Sequence, residues 1–234
     1  GFKKNFSFLA RMLAFSGREA RKEKQVLDNV SFDVYKGETL GIIGRNGSGK
    51  STLLGLIAGI YEADKGEIIS SGKISYLSGW GFGLQHRLTM RDNIYLSGSI
   101  LGLGKKDIAD KFDEIVKFSG LEEFPETKIY QFSSGMITRL SFSIVVHCLE
   151  YKKPDILLLD EVFGSGGDID FQNKALRKME SLIRGGITVI MVSHNLDLVK
   201  RHCKRIVWLD QGRIVKIGDP KEVVNDYIKQ NEIK

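Results

Sequence analysis

An apolar run, Thr39-Leu40-Gly41-Ile42-Ile43, passes directly into Gly44-Arg45-Asn46-Gly47-Ser48-Gly49-Lys50-Ser51-Thr52 and then into Leu53-Leu54-Gly55-Leu56-Ile57. The middle stretch matches G-x-x-x-x-G-K-[ST], a loop that needs a buried strand before it and a helix after it. Both flanks are present, so the chain is committed to an α/β architecture built around strand, loop and helix in that order. The glycines let the backbone turn tightly and gather its N–H groups against one spot. Lys50 reaches the same spot as a point charge, and the helix beginning there adds the positive end of its dipole. The group that fits is the β and γ phosphates of a nucleotide, with Ser51 placed to ligate Mg²⁺.

At 234 residues and 42% hydrophobic side chains, the chain suits one large domain or two small ones with a sizeable core. A net charge of +6 and a pI near 9.2 favour an acidic partner, whether nucleotide, nucleic acid or an anionic membrane surface. Cys148 and Cys203 lack metal-ligand or C-x-x-C spacing and read as buried small hydrophobes in a reducing compartment. No run of about 18 apolar residues is available to span a bilayer, and no secretory signal is visible. The chain opens on Gly1 rather than methionine, so further residues are expected ahead of it.

Residues 1–25 carry Lys3, Lys4, Arg11, Arg18, Arg21, Lys22 and Lys24 against Glu19 and Glu23. Phe6, Leu9, Ala10 and Leu13 recur at helical spacing, with Phe8, Met12 and Phe15 widening the stripe. Such a basic amphipathic segment either lies at a membrane interface or partner, or packs on the core with a solvated basic face.

From Val26 the period changes to that of strands. Val30 to Val34 alternates, Tyr35-Lys36-Gly37-Glu38 turns into the strand at Thr39, and Gly66 to Ile69 and Lys73 to Leu77 extend the sheet region. A helical stretch runs from Met90 to about Gly120 with a break at Gly102-Leu103-Gly104, polar enough to be a mostly exposed subdomain. Ile156 to Leu159 and Ile187 to Val192 read as buried parallel strands separated by a helix from Phe171 to Arg184. Arg205 to Leu209 and Arg213 to Ile217 flank Asp210-Gln211-Gly212 as a hairpin.

The strand at Ile156 to Leu159 ends in Asp160-Glu161. Ligands in open α/β sheets collect at the carboxyl ends of strands, so Asp160 is expected to meet the Mg²⁺ and Glu161 the attacking water. A Ser/Thr, an Asp and phosphate oxygens make a suitable Mg²⁺ set.

Gln131-Phe132-Ser133-Ser134-Gly135-Met136, just ahead of a helix read from Ile137 to Cys148, resembles the signature motif of the ABC-type ATPases. In that family this loop is offered to the γ-phosphate held by a second subunit, which implies Ser133, Ser134 and Gly135 as contacts in trans. A serine hydroxyl, a free N–H and a helix dipole suit an anion, and the same serine is also a common helix cap. His194, after the strand ending Met191-Val192-Ser193, occupies the family's switch-histidine position and is implied to contact the γ-phosphate. His86, His147 and His202 read as structural.

The motifs span residues 26–217, and the narrower resemblance is to ATPase subunits that export O-antigen, capsule or teichoic acid. It rests on Ser133 to Met136 with Arg139 to Ile144, on Arg91 to Leu96, on Phe171-Gln172 with Lys174, and on the long basic segment before Val30. The resemblance implies a P-loop NTPase fold with a mixed core sheet flanked by helices, an antiparallel β region and a helical subdomain. It implies a nucleotide-binding core at 26–89 and 150–217, the helical subdomain at 90–149 and a C-terminal helix at 218–234. ATP and Mg²⁺ are the implied ligands and ATP hydrolysis the activity, with Lys50, Glu161 and His194 catalytic and Gly44 to Thr52 holding the phosphates. The implied setting is a homodimer on the cytoplasmic face of the cell membrane, peripheral, with a separate transmembrane permease, and no nucleic acid.

The sequence departs from that pattern in three places. The family's metal-binding glutamine is expected near Gly79 or Trp80, and the glutamine present in that loop, Gln85, is the remaining candidate. The dimer-loop aspartate is expected at position 167, where glycine stands, and Asp168 follows. The aromatic that stacks on adenine is open among Phe2, Phe6 and Phe15. Rival readings are another ABC transporter ATPase, including an importer, a non-hydrolysing nucleotide-binding module, and a DNA-repair or chromosome-type ATPase. The stretch from Lys50 to Ser133 is too short and lacks the heptads for the last.

Overall fold

The computed structural model describes residues 25–78, 83–161 and 169–232. Strand β1 (Thr39–Ile43) leads through the glycine-rich loop into α1 (Lys50–Ile57), and β2 (Ile74–Ser78) follows. Next come α2 (Met90–Ile100), α3 (Lys105–Ser119), a 3-10 turn at Ile129–Gln131 and α4 (Ser134–Lys152). Then β3 (Ile156–Asp160), α5 (Ile169–Arg184), β4 (Thr188–Val192), α6 (Leu196–His202), β5 (Arg205–Asp210), β6 (Arg213–Gly218) and α7 (Pro220–Glu232) complete the order.

Among the described residues one sheet of six strands carries the order β2-β3-β4-β1-β5-β6. It is parallel from β2 to β5, with β6 antiparallel on β5, so the sheet is mixed. Side chains of successive strand residues point to opposite faces. Leu157, Leu159, Val189, Met191 and Trp208 meet α4, α5, α6 and α7 on one face. Leu158, Ile190, Val192, Leu40 and Ile42 meet Leu53 and Leu54 of α1 on the other. A strand covered on both sides has no polar face to offer, which is why β1, β3 and β4 read as continuous apolar runs.

A third core belongs to the helices. Met90 and Ile94 of α2, Ile108, Phe112 and Ile115 of α3, and Leu140, Ile144 and Cys148 of α4 close around one another. α2 starts on a reciprocal cap in which Thr89 and Asp92 each satisfy the other's backbone N–H. α3 stops at Gly120, which takes the left-handed conformation at φ 65°. The break at Gly102 to Gly104 lies between α2 and α3 as its glycines predict.

Several local readings change. The Val30 to Val34 segment forms no ladder. Its alternate residues Val30, Phe32 and Val34 do pack on the sheet core. Alternation tells which side chains face inward and supplies no partner edge. Gly66 to Ile69 is likewise outside the sheet, with Ile69 86% exposed. Antiparallel strand pairing among the described residues is that of β5 with β6, apart from one isolated bridge between Thr89 and Lys128. α4 begins at Ser134 rather than Ile137 and continues past Cys148 to Lys152. The amphipathic reading at residues 1–25, with the adenine-stacking candidates Phe2, Phe6 and Phe15, lies outside the described residues but for Gln25, as do Gly79 to Phe82 and Asp168.

Candidate nucleotide site

Adjacent strands β3, β4 and β1 all end on the same side of the sheet, because they run parallel. The loops leaving their carboxyl ends carry Asp160-Glu161, Ser193-His194 and the Gly44 to Thr52 loop respectively. Parallel pairing therefore converts three distant sequence motifs into neighbours.

The loop is shaped by lack of space. A Cβ on Gly44 would come within 2.0 Å of the Leu209 carbonyl oxygen, and one on Gly49 within 2.7 Å of Leu27 Cδ2, where φ is also 104°. Gly49 caps α1 without a side chain, so no side-chain acceptor takes the first N–H groups of that helix. Ser48 and Lys50 are buried, Arg45, Asn46, Gly47 and Ser51 are exposed, and Thr52 is half-buried. Lys50 Nζ donates to the Gly44 and Arg45 carbonyls, each at 2.9 Å. Burial pulls its pKa down, against the opposing pull of Glu161 and Asp160.

Asp160 is 7% exposed at the end of β3. Its Oδ2 accepts from the Tyr76 hydroxyl at 3.2 Å, and its Oδ1 is buried with no hydrogen-bond partner. Burial, followed by the neighbouring Asp160 charge, pushes the Tyr76 phenol up to about 12, so it stays a donor. Glu161 follows in a left-handed backbone conformation, φ 54°, with its N–H donated to the Val192 carbonyl at 3.0 Å. Its Oε1 lies 2.7 Å from His194 Nε2, and both side chains are about half exposed. The pair joins the end of β3 to the end of β4.

Lys50, Asp160, Glu161 and His194 thus converge. Ser133, Ser134 and Gly135 do not join them within one chain: no hydrogen bond or ion pair connects them to the loop among the described residues. Ser133 caps α4, accepting from Met136 N–H at 3.2 Å, and Ser133 and Ser134 are exposed. Gln85 is held through its backbone, with Asn93 Oδ1 accepting its N–H at 2.6 Å and Asn93 Nδ2 donating to its carbonyl at 3.1 Å. Its side chain is exposed, and among the described residues no hydrogen bond joins it to Asp160 or Ser51. Two partners carry no sequence signal: Tyr76, and Asn231 of α7, whose Oδ1 accepts from Arg45 Nε at 2.7 Å.

The donor set fits a nucleotide with a divalent cation. Uncapped N–H groups and a buried ammonium face the loop, an orphaned carboxylate oxygen is available to a metal, and a half-exposed carboxylate paired with an imidazole is available to a water.

Comparisons with known proteins bear on the family and the fold. The family described as ABC transporter matches residues 27–164. An O-antigen export system ATP-binding protein of Klebsiella pneumoniae is 39% identical, over 86% of this chain and 80% of that protein. A teichoic acids export ATP-binding protein of Enterococcus faecalis is 43% identical over 86% of this chain, which spans only 44% of that longer protein. Among solved structures, the ATP binding subunit of an ABC transporter superposes with a TM-score of 0.73 at 24% identity, covering 89% of each chain. A dimeric ATP-binding cassette in a post-hydrolysis state with ADP and Pi gives 0.65 at 23% identity, covering 83% of this chain and 90% of that one. From the match over residues 27–164 and the identity to these export ATP-binding proteins, the chain belongs to the ABC transporter family.

Proposed function

We propose that this chain is the ATP-hydrolysing subunit of an exporter that moves a lipid-linked polysaccharide such as O-antigen, capsule or teichoic acid. The observation that carries hydrolysis is the 2.7 Å pair of Glu161 with His194 beside buried Lys50 and Asp160. The substrate class is supported by the 39% and 43% identity to O-antigen and teichoic acid export ATP-binding proteins.

Two such chains would face each other, each lending Ser133, Ser134 and Gly135 to the loop of the other. Lys50 and the N–H groups of Gly44 to Thr52 bind the phosphates. Ser51 and Asp160 would hold Mg²⁺, with Gln85 the remaining candidate for a further ligand. Mg²⁺, when bound, supplies positive charge that offsets the charge on the phosphate oxygens. Glu161 would accept a hydrogen bond from the attacking water and so polarise it, and His194 has one N–H to give, to this carboxylate as it stands here or to the terminal phosphate once ATP is bound. Asp168 belongs to the loop that would meet the opposite subunit. The assembly sits at the cytoplasmic face of the membrane against a transmembrane permease, with residues 1–25 as a second membrane contact. Among the described residues no helix is long and apolar enough to cross a membrane.

Phosphate release by the purified chain, followed with and without Mg²⁺, tests the enzyme. ATP- and Mg²⁺-dependent release is expected, and its absence in the presence of the co-purified membrane subunit would sink the proposal. Identification of that subunit, and of the glycan retained inside cells lacking this chain, tests the substrate class.

A further inference from the structure

We infer that Tyr76 is a positioning residue for the divalent cation: its phenol pins one oxygen of Asp160 and so turns the other toward the metal. The inference rests on the reading of Asp160 as a metal ligand. β2 and β3 pair in parallel with Tyr76 opposite Leu158 and Ser78 opposite Asp160. Tyr76 and Asp160 are then diagonal neighbours on one face of the sheet, a separation that an aromatic side chain bridges and a short one does not. The hydroxyl arrives 3.2 Å from Oδ2, while Oδ1 remains buried and without a partner.

A carboxylate rotates through a broad, roughly two-fold well about its last bond, so on its own Asp160 would present either oxygen at many angles. A single donor fixed to the sheet removes that freedom. The donor is itself held, because Tyr76 packs against the core beneath the sheet with Leu158 and Ile156. Groups that orient a metal ligand in this way commonly govern metal affinity by about 10- to 100-fold.

The test uses Mn²⁺ as the probe. The full chain is loaded with ADP, Mn²⁺ binding is followed by electron paramagnetic resonance, and ADP affinity is measured separately in EDTA. Tyr76→Phe keeps the ring and removes the donor. It is expected to weaken Mn²⁺ about 10-fold with ADP affinity in EDTA unchanged, and Asp160→Asn to weaken Mn²⁺ at least as much. Wild-type Mn²⁺ affinity in Tyr76→Phe, with Asp160→Asn weakened, overturns the role of Tyr76 and leaves the metal site standing. Unchanged affinity in both variants overturns the metal site and the role of Tyr76 with it. Loss of ADP affinity in EDTA by Tyr76→Phe overturns the specific role as well, since it marks a general packing function.

Discussion

Glu161 takes a backbone conformation that costs an ordinary L-residue roughly 1 kcal/mol or more. The turn is held by its N–H on the Val192 carbonyl, which leaves the side chain directed at His194. Strain of this kind persists where the surrounding structure over-determines it, and here the parallel β3 and β4 ends do so. His194→Ala removes the group that fixes the carboxylate without touching the phosphate loop. ATP turnover is expected to fall by about 10²-fold or more, with ADP affinity unchanged, as read by steady-state phosphate release and a fluorescent ADP titration. The convergence of Lys50, Asp160 and His194 was legible because the motifs that carry them have fixed spacing from glycines or strand ends. Tyr76 and Asn231 were not, since their contacts depend on strand register and on helix placement across the fold.

At the scale of elements, the proposed function gives the first turn of α4 a second task beside its cap, and one substitution pair separates the two. Ser133 Oγ accepts from Met136 N–H, which leaves its own proton free to donate to an anion. Ser133→Ala removes both functions and should cost about 1 kcal/mol, seen as a fall in Tm of about 2–4 °C. Ser133→Asp retains a good cap and should keep the wild-type Tm, yet its charge should abolish ATP hydrolysis if this turn meets phosphate in the dimer. Full activity in Ser133→Asp would remove the trans contact from the proposal.

Further along α4, His147 is 3% exposed, with Nδ1 donating to the Ser143 carbonyl at 2.7 Å and an edge contact to Phe118. Burial holds its pKa below the ordinary 6.5, ahead of smaller effects from Ser143, Lys178, Glu150 and Glu114. The unfolded chain therefore takes up this proton at a higher pH than the folded one. Stability contributed by neutral His147 is present above the unfolded value and is lost as pH falls through the folded value. Thermal unfolding between about pH 7.5 and about pH 5 should show a falling Tm, less steep in His147→Gln. The α2–α3 break and the β5–β6 hairpin were legible from Gly102, Gly104 and Gly212, whereas the Val30 to Val34 alternation reported burial without pairing.

Over the whole molecule, α4 is the wall shared by two cores: Leu140, Ile144 and Cys148 face the helices, while Phe142, Val146 and Leu149 face the sheet. The signature turn at its start is therefore positioned by both cores, and among the described residues no hydrogen bond or ion pair ties it to the Lys50 loop of its own chain. No sequence period announces this, because both stripes are apolar and together they blur the helical pattern. If the proposed site is completed by a second copy, oligomeric state becomes a readout of the chemistry. Glu161→Gln keeps the shape of the side chain and its place beside His194, but a neutral amide polarises water poorly. The variant should bind ATP, fail to turn it over, and accumulate as a dimer at twice the monomer mass in light scattering with Mg²⁺-ATP. It should return to monomer when ADP replaces ATP, because the terminal phosphate is what the partner's Ser133 and Gly135 would hold. Hydrolysis at the wild-type rate in Glu161→Gln removes Glu161 from catalysis. A variant that neither hydrolyses nor dimerises with ATP places the missing half of the site somewhere other than a second copy of this chain.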